Sequence, residues 1–260
     1  MILILPTNKS SFNITVTVQT SSAQEICIVG KDTNKPSTFY FRRKGVVDGK
    51  RKFTLRFPMS PLQMELKIYN GANECTPRDE DKTFKVIDLK FAPIQTNDVW
   101  MNAETIEFVK FAKQFSDNAS ILSLGEYRSD NGVYKIHYLD VIRENGKETT
   151  NPARIGHESG IIELSKRDFF HYSVPMRMII LLHEYSHKYM NNIVDREIDD
   201  ETSADINALY IYLGLGFPRI EATNAFLNVF LDAANKTNNK RYKIINDFIT
   251  KFDQGKFTVS

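Results

Sequence analysis

Leu181-Leu182-His183-Glu184-Tyr185-Ser186-His187 carries an apolar run into the pattern H-E-x-x-H, and its reading organises the rest of the chain. On a helix, residues four apart share a face one turn apart, so His183 and His187 can offer imidazole nitrogens to a single metal ion. Glu184 lies beside that face, where a carboxylate can take a proton from a water on the metal. The pattern is a signature of zinc-assisted hydrolysis. Its surroundings read as helix: Pro175 suits a first turn, Ser173 or Tyr172 precedes it, and Met176, Ile179, Ile180 and Leu182 form an apolar face. The spacing predicts a buried helix that stops near Asn191-Asn192.

An enzymatic zinc site needs a third protein ligand and one open position. Glu201-Thr202-Ser203-Ala204-Asp205 begins fourteen residues after His187, behind an acidic loop from Asp195 to Asp200. If Asp199 or Asp200 caps a new helix, Glu201 and Asp205 share one face, and Ala204 and Ala208 leave room for close packing. Glu201 then reaches the metal, and Asp205 holds a ligand histidine by its second nitrogen. Glu197 and Asp200 compete with Glu201 as third ligand. The plainer alternative is a solvated acidic first turn that favours the helix dipole with no metal.

Between Ile161 and Leu213 the chain resembles the glutamate-liganded branch of the zincin metallopeptidases, in which H-E-x-x-H is followed by E-x-x-A-D or E-x-x-x-D on the next helix. The resemblance implies a zinc cofactor held by His183, His187 and Glu201, with Glu184 as general base and Asp205 as supporting acid. It also implies a peptide or protein substrate. The gap from His187 to Glu201 is short for that branch.

Residues 1–92 read as strands. Phe12-Asn13-Ile14-Thr15-Val16-Thr17-Val18 alternates apolar and polar residues, the period of a strand with one buried face. Similar runs at 25–29, 38–42, 52–57, 64–69 and 84–91 are separated by turn signals such as Asp48-Gly49 and Asn70-Gly71. This pattern predicts a β-sandwich of immunoglobulin-like size with a binding or scaffold role. Arg42-Arg43-Lys44 is expected to face Lys50-Arg51-Lys52 across a hairpin, a basic tip that can dock acidic protein or nucleic acid or, more plainly, a solvated end whose charges discourage edge pairing.

Residues 93–260 read as the site domain, so the expected fold class is α+β, with C-terminal helices after a zincin-like core. Asn102 resembles an N-cap ahead of a stripe of Ile106, Phe108, Val109, Ala112 and Phe115. Strands follow at 121–127 and 133–142, joined at Asn131-Gly132, and the resemblance to zincins implies that the next strand, Gly160 to Leu164, is the edge that receives extended peptide. A helix opened by Pro218 is expected to run to about Ala234, and a last one spans Tyr242 to Phe252; both read as packing without chemistry. His157 and Tyr210 are candidate oxyanion donors, as are His171 and Tyr189, while His137 reads as structural.

Composition narrows the classes. The chain has 260 residues, 42% hydrophobic and 25% charged, with a formal net charge of +2, so no global field draws it to nucleic acid or to a membrane. The apolar run at Met1 to Leu5 is too short for a signal peptide. Cys27 and Cys75 read as reduced thiols, which predicts a cytoplasmic setting. A second reading is an assembly protein, such as a virion component held to its neighbours through the N-terminal β-domain while keeping a zincin fold and its metal.

Overall fold

The computed structural model describes residues 1–71, 83–94, 99–190, 200–230 and 236–254. The chain is α+β and divides into two compact units, Met1–Thr96 and Asn97–Ser260.

The first unit contains β1 (Ile2–Pro6), β2 (Phe12–Thr20), β3 (Gln24–Asp32), β4 (Phe39–Val47), β5 (Lys50–Phe57), β6 (Gln63–Asn70) and β7 (Phe84–Pro93). They form two antiparallel sheets, in the orders β1-β6-β3-β4 and β5-β2-β7. The alternation in β2 sends Ile14, Val16 and Val18 into the core with Leu55 and Phe57, and Met64, Leu66 and Ile68 fill it from the other sheet. The sheets approach so closely at Gly30 that a Cβ there would lie 3.2 Å from both Met64 Sδ and the Phe57 ring.

The expected basic hairpin is not formed. β4 pairs with β3, setting Arg43 opposite Ile28, whereas β5 pairs with β2, setting Lys52 opposite Thr17. The chain changes sheet at Asp48-Gly49, with Gly49 at φ 66°, because the buried Val47 closes one sheet before Lys50 enters the other. Cys27 is buried; Cys75 lies outside the described residues.

The second unit opens with α1 (Ala103–Asn118), capped by Asn102, whose side-chain oxygen accepts from the Thr105 N–H at 2.7 Å. There follow β8 (Gly125–Arg128), β9 (Lys135–Leu139), a short hairpin of β10 (Arg143–Glu144) and β11 (Lys147–Glu148), then β12 (Ala153–Ile155) and β13 (Ile161–Ser165). The main sheet has the order β12-β13-β9-β8, with β13 and β9 parallel and both outer strands antiparallel to their neighbours. Gly160 to Leu164 is therefore an inner strand, and β12 is the edge. The reason is local: the turn at Gly156 to Gly160, closed by Gly160 N–H donating to Gly156 O at 2.7 Å, folds β12 back along β13. The strands around Asn131-Gly132 are shorter than expected, since residues 121–124 form no strand.

The remaining elements are α2 (Lys166–Phe169), α3 (Val174–Tyr189), α4 (Asp200–Gly214), α5 (Arg219–Ala225), a π-helical turn (Phe226–Phe230) and α6 (Lys236–Asp253). α3 starts where the sequence signals it: Ser173 Oγ accepts from the Met176 N–H, with proline in the first turn. Its expected stop at Asn191-Asn192 lies outside the described residues, as does Ala234. The helix is buried nearly all round, not on one face, because α1, α4, α5 and β12 pack against it. Phe108 of α1 stacks on Tyr185 of α3 at 4.1 Å, and the fully buried Ala204 and Ala208 admit α4.

Arg177 is fully buried and donates to three backbone carbonyls, Phe169 O at 3.1 Å, Ser116 O at 2.7 Å and Phe170 O at 2.8 Å. One guanidinium thus satisfies the C-terminal ends of α1 and α2 while holding them to α3. Arg177→Met should cost roughly 3 kcal/mol or more, since it removes the donors and strands buried acceptors. Urea unfolding measures this; a loss below about 1 kcal/mol would show that the carbonyls find other partners.

Candidate metal centre

α3 and α4 bring His183, His187 and Glu201 together, with one potential ligand atom from each lying within 4.8 Å of the others. The two imidazole Nε2 atoms face each other at 3.1 Å, and each lies 3.6 Å from one carboxylate oxygen of Glu201. A tetrahedral ion with bonds of about 2.0–2.1 Å sets its donors about 3.3–3.4 Å apart. The three groups therefore fit a divalent cation in both spacing and chemistry.

The second nitrogens of both histidines also face carboxylates. His183 Nδ1 lies 3.0 Å from Asp205 Oδ1, and His187 Nδ1 lies 2.8 Å from Asp200 Oδ2. Carboxylates there fix the ring orientation and leave each Nε2 pointing at the metal position. Asp200, weighed from sequence as a competing third ligand, thus holds a ligand instead. Glu197 and Asp199 lie outside the described residues.

Glu184 is buried beside the two histidines and lines the same cleft. Burial pushes its carboxyl above the ordinary value, while nearby His183 and His187 and a hydrogen bond from the Ile155 backbone N–H pull the other way. Ile155 belongs to the edge strand β12, so the base candidate is tied to the strand that borders the cleft.

The cleft has a volume of about 360 Å³, with residues 151–155 and His157 on one side and α3, α4, Val229 and Arg241 on the other. Lys188 donates to His157 O at 2.9 Å and Glu158 O at 2.6 Å, pinning the loop that brings His157 to within 6.3 Å of the His187 ring. Gly160 in that loop has φ 67°, and a Cβ would meet Tyr189 Oη at 2.3 Å, so only glycine fits. Among the described residues that line the cleft, Tyr210, His171 and Tyr189 do not appear. Tyr189 instead stacks on Tyr185 at 4.9 Å, and His137 pairs with Glu126 on the sheet at 2.9 Å.

Arg241 of α6 escaped the sequence reading, which took that helix as packing alone. Its guanidinium bonds both oxygens of Asp205, with Nη2 at 2.8 Å from Oδ1 and Nε against Oδ2, and reaches Glu201 Oε2 at 2.9 Å. A signal did exist. Arg241 falls on the same helical stripe as the buried Ile245, Phe248 and Phe252, and a charge in register with a buried stripe needs a partner.

Comparison with protein families, with curated proteins and with solved structures finds no match for this chain.

Electrostatics couples metal binding to pH. Burial alone would discharge His183, but the Asp205 and Glu201 carboxylates outweigh it and push its metal-free pKa up from 6.5 to about 10. Hydrogen bonding with His183 brings Glu201 down from 4.5 to about 2. In the metal-free protein, the His183 contribution to stability is complete below about pH 6.5 and is lost as pH rises towards 10. The Glu201 contribution is present above about pH 4.5 and is lost as pH falls through about 2; its side chain is half exposed, so solvent screens it.

A cation must displace the His183 proton, so apparent affinity for a divalent ion should rise about tenfold per pH unit from about pH 6 to about pH 8. Competition with a chelator at several pH values reads this slope. A flat profile would mean that the metal-free histidine carries no proton.

Proposed function

We propose that the chain is a zinc-dependent metallopeptidase that hydrolyses peptide bonds in the cleft between β12 and α3. The observation that carries the reading is the division of labour among acidic groups: one carboxylate completes a His-His-Glu donor set, and a different, buried one stands beside it without joining it. Two imidazoles and a carboxylate suit zinc, with one position left for water or substrate.

When bound, zinc supplies Lewis acidity, lowering the pKa of a water and polarising the scissile carbonyl. The chain's own residues do the rest. Glu184 accepts the proton of the attacking water on its carboxylate and delivers it to the leaving amine nitrogen. Burial raises its pKa, which makes it a better proton acceptor than an ordinary carboxylate. Asp205 and Asp200 hold the two imidazoles in one tautomer. β12 offers an open edge to an extended peptide backbone, and we assign His157, across the cleft, to donate to the developing oxyanion.

The small cleft, bordered by Pro152, Ala153 and Val229, favours an extended segment over a bulky folded substrate. Among the described residues no helix is long and apolar enough to cross a membrane.

The chain should bind about one equivalent of zinc, and His187→Ala should lose it. Glu184→Gln should keep the zinc and the fold while turnover of a peptide library falls by about two to four orders of magnitude, the usual contribution of a general base. Metal content and turnover are measured on the same preparations. Equal turnover in wild type and Glu184→Gln would remove Glu184 from the mechanism. Zinc in both with turnover in neither would leave a metal site without peptidase chemistry.

A further inference from the structure

We propose that the outer face of the β5-β2-β7 sheet is a docking groove for an extended acidic peptide segment with carboxylates at alternate positions. The groove is built from the first unit alone and is independent of the metal centre.

Strand register assembles it. Residues directly opposite one another in antiparallel strands share a face. With Ile14, Val16 and Val18 of β2 in the core, Thr15 and Thr17 point the other way. Lys52 stands opposite Thr17 on one side and Asp88 on the other, Lys90 is opposite Thr15, and Gln19 lies between Lys50 and Lys85. Thr15 and Thr17 thus floor a cavity of about 450 Å³, walled by Lys50 and Lys52 on β5 and by Asp88 and Lys90 on β7. The second of the two basic runs in the sequence serves this sheet, not a hairpin tip.

Charge selects an anion. Arg56, opposite Asn13, joins the four lysines, so this one face gathers five basic side chains and one acidic one, in a chain whose formal net charge is only +2. Asp88 is taken by Lys90 at 3.2 Å. Lys50, Lys52 and Lys85 are exposed and have no acidic partner among the described residues. Like charges on one sheet face repel one another, and an anionic occupant removes that repulsion.

Dimensions and chemistry select a peptide among anions. Lys50 and Lys52 are two residues apart on a strand, a step of about 6.8 Å, which is also the step between side chains on one side of an extended peptide. The rows on β5 and β7 are two strand spacings apart, roughly 10 Å, room for one extended chain but narrower than a duplex, whose major groove alone is about 12 Å wide. Single-stranded nucleic acid is held by stacking its bases on aromatic rings, and no aromatic side chain shares this face in register. The threonine hydroxyls on the floor can donate to carboxylate or backbone oxygens of a peptide.

The probe is a labelled peptide of alternating glutamate and threonine, which sets every carboxylate on one side when extended, with a glutamine-threonine peptide of equal length as the neutral control. Fluorescence anisotropy with the full chain at about 0.05 M salt should show binding of the acidic peptide and none of the neutral one. Affinity should fall at least tenfold by about 0.5 M salt as the Debye length shortens. Replacing Lys50, Lys52 and Lys90 together by threonine, which suits a strand, should weaken binding by about tenfold or more, since each exposed pair contributes roughly two- to fivefold. Amide shifts of Thr15 and Thr17 on adding the peptide to wild type locate the groove without any substitution and carry the measurement if the triple variant does not fold.

Absence of binding at low salt would leave a solvated lysine face and overturns the proposal. So does tighter binding of an oligothymidylate or of phosphatidylserine vesicles than of the acidic peptide, because the groove would then serve another class of anion. A folded triple variant that binds as wild type does, or shifts confined to residues outside this sheet, overturns it equally.

Discussion

Asp205 is wholly buried, and a carboxylate in that position persists only because His183 and Arg241 face it. Leaving such a group unpaired would cost several kcal/mol, so the three charges must be assembled together or not at all. They come from α3, α4 and α6, and their meeting sets how those helices pack. The same contact that satisfies Asp205 turns the His183 ring so that Nε2 points at His187. A constraint of burial thus becomes the geometry of a donor set that could hold a metal ion.

The two ends of α3 are handled by different means. Near its start, Arg177 collects carbonyls from the ends of α1 and α2, an arrangement in which one cation satisfies neutral acceptors and nothing is left to react. Near its end the polar groups are titratable, mutually charged and open to a cleft on one side. Both ends are buried, yet only the second gathers several titratable groups beside a cleft. The Arg177 contacts fasten α1 and α2 to the start of the helix that carries both histidines.

The cleft exists because β12 is an edge strand. Had the chain gone directly from the β10–β11 hairpin into β13, that inner strand would border α3 and the Ile155 N–H would not reach Glu184. The tight turn at residues 156–160, which demands glycine at its end and is held by Lys188, adds one more strand and brings His157 to the rim. The loop is thus both a topological device and a carrier of a polar side chain.

Much of this was legible from residue order where the cause is local. The H-E-x-x-H spacing, Ser173 with Pro175, Asn102, and the alternation in β2 act over a single turn or a single strand, and propensity and periodicity report such causes directly. Glu201 and Asp205 could be paired with the histidines because four residues on a helix define one face whatever the partner. What the residue order could not decide was anything set by neighbours distant in the chain. Whether Lys50-Arg51-Lys52 pairs with β4 or β2, and whether β12 or β13 forms the edge, depends on which strand offers a complementary buried face. Asp200 turned from possible ligand to holder of His187, and Arg241 entered from α6, because burial removes water as a partner and makes each charge answer to the charges that the fold brings within reach. Helix, strand and the candidate donor residues were written in local spacing; the partners of each charge were settled only by tertiary packing, where desolvation makes pairing obligatory.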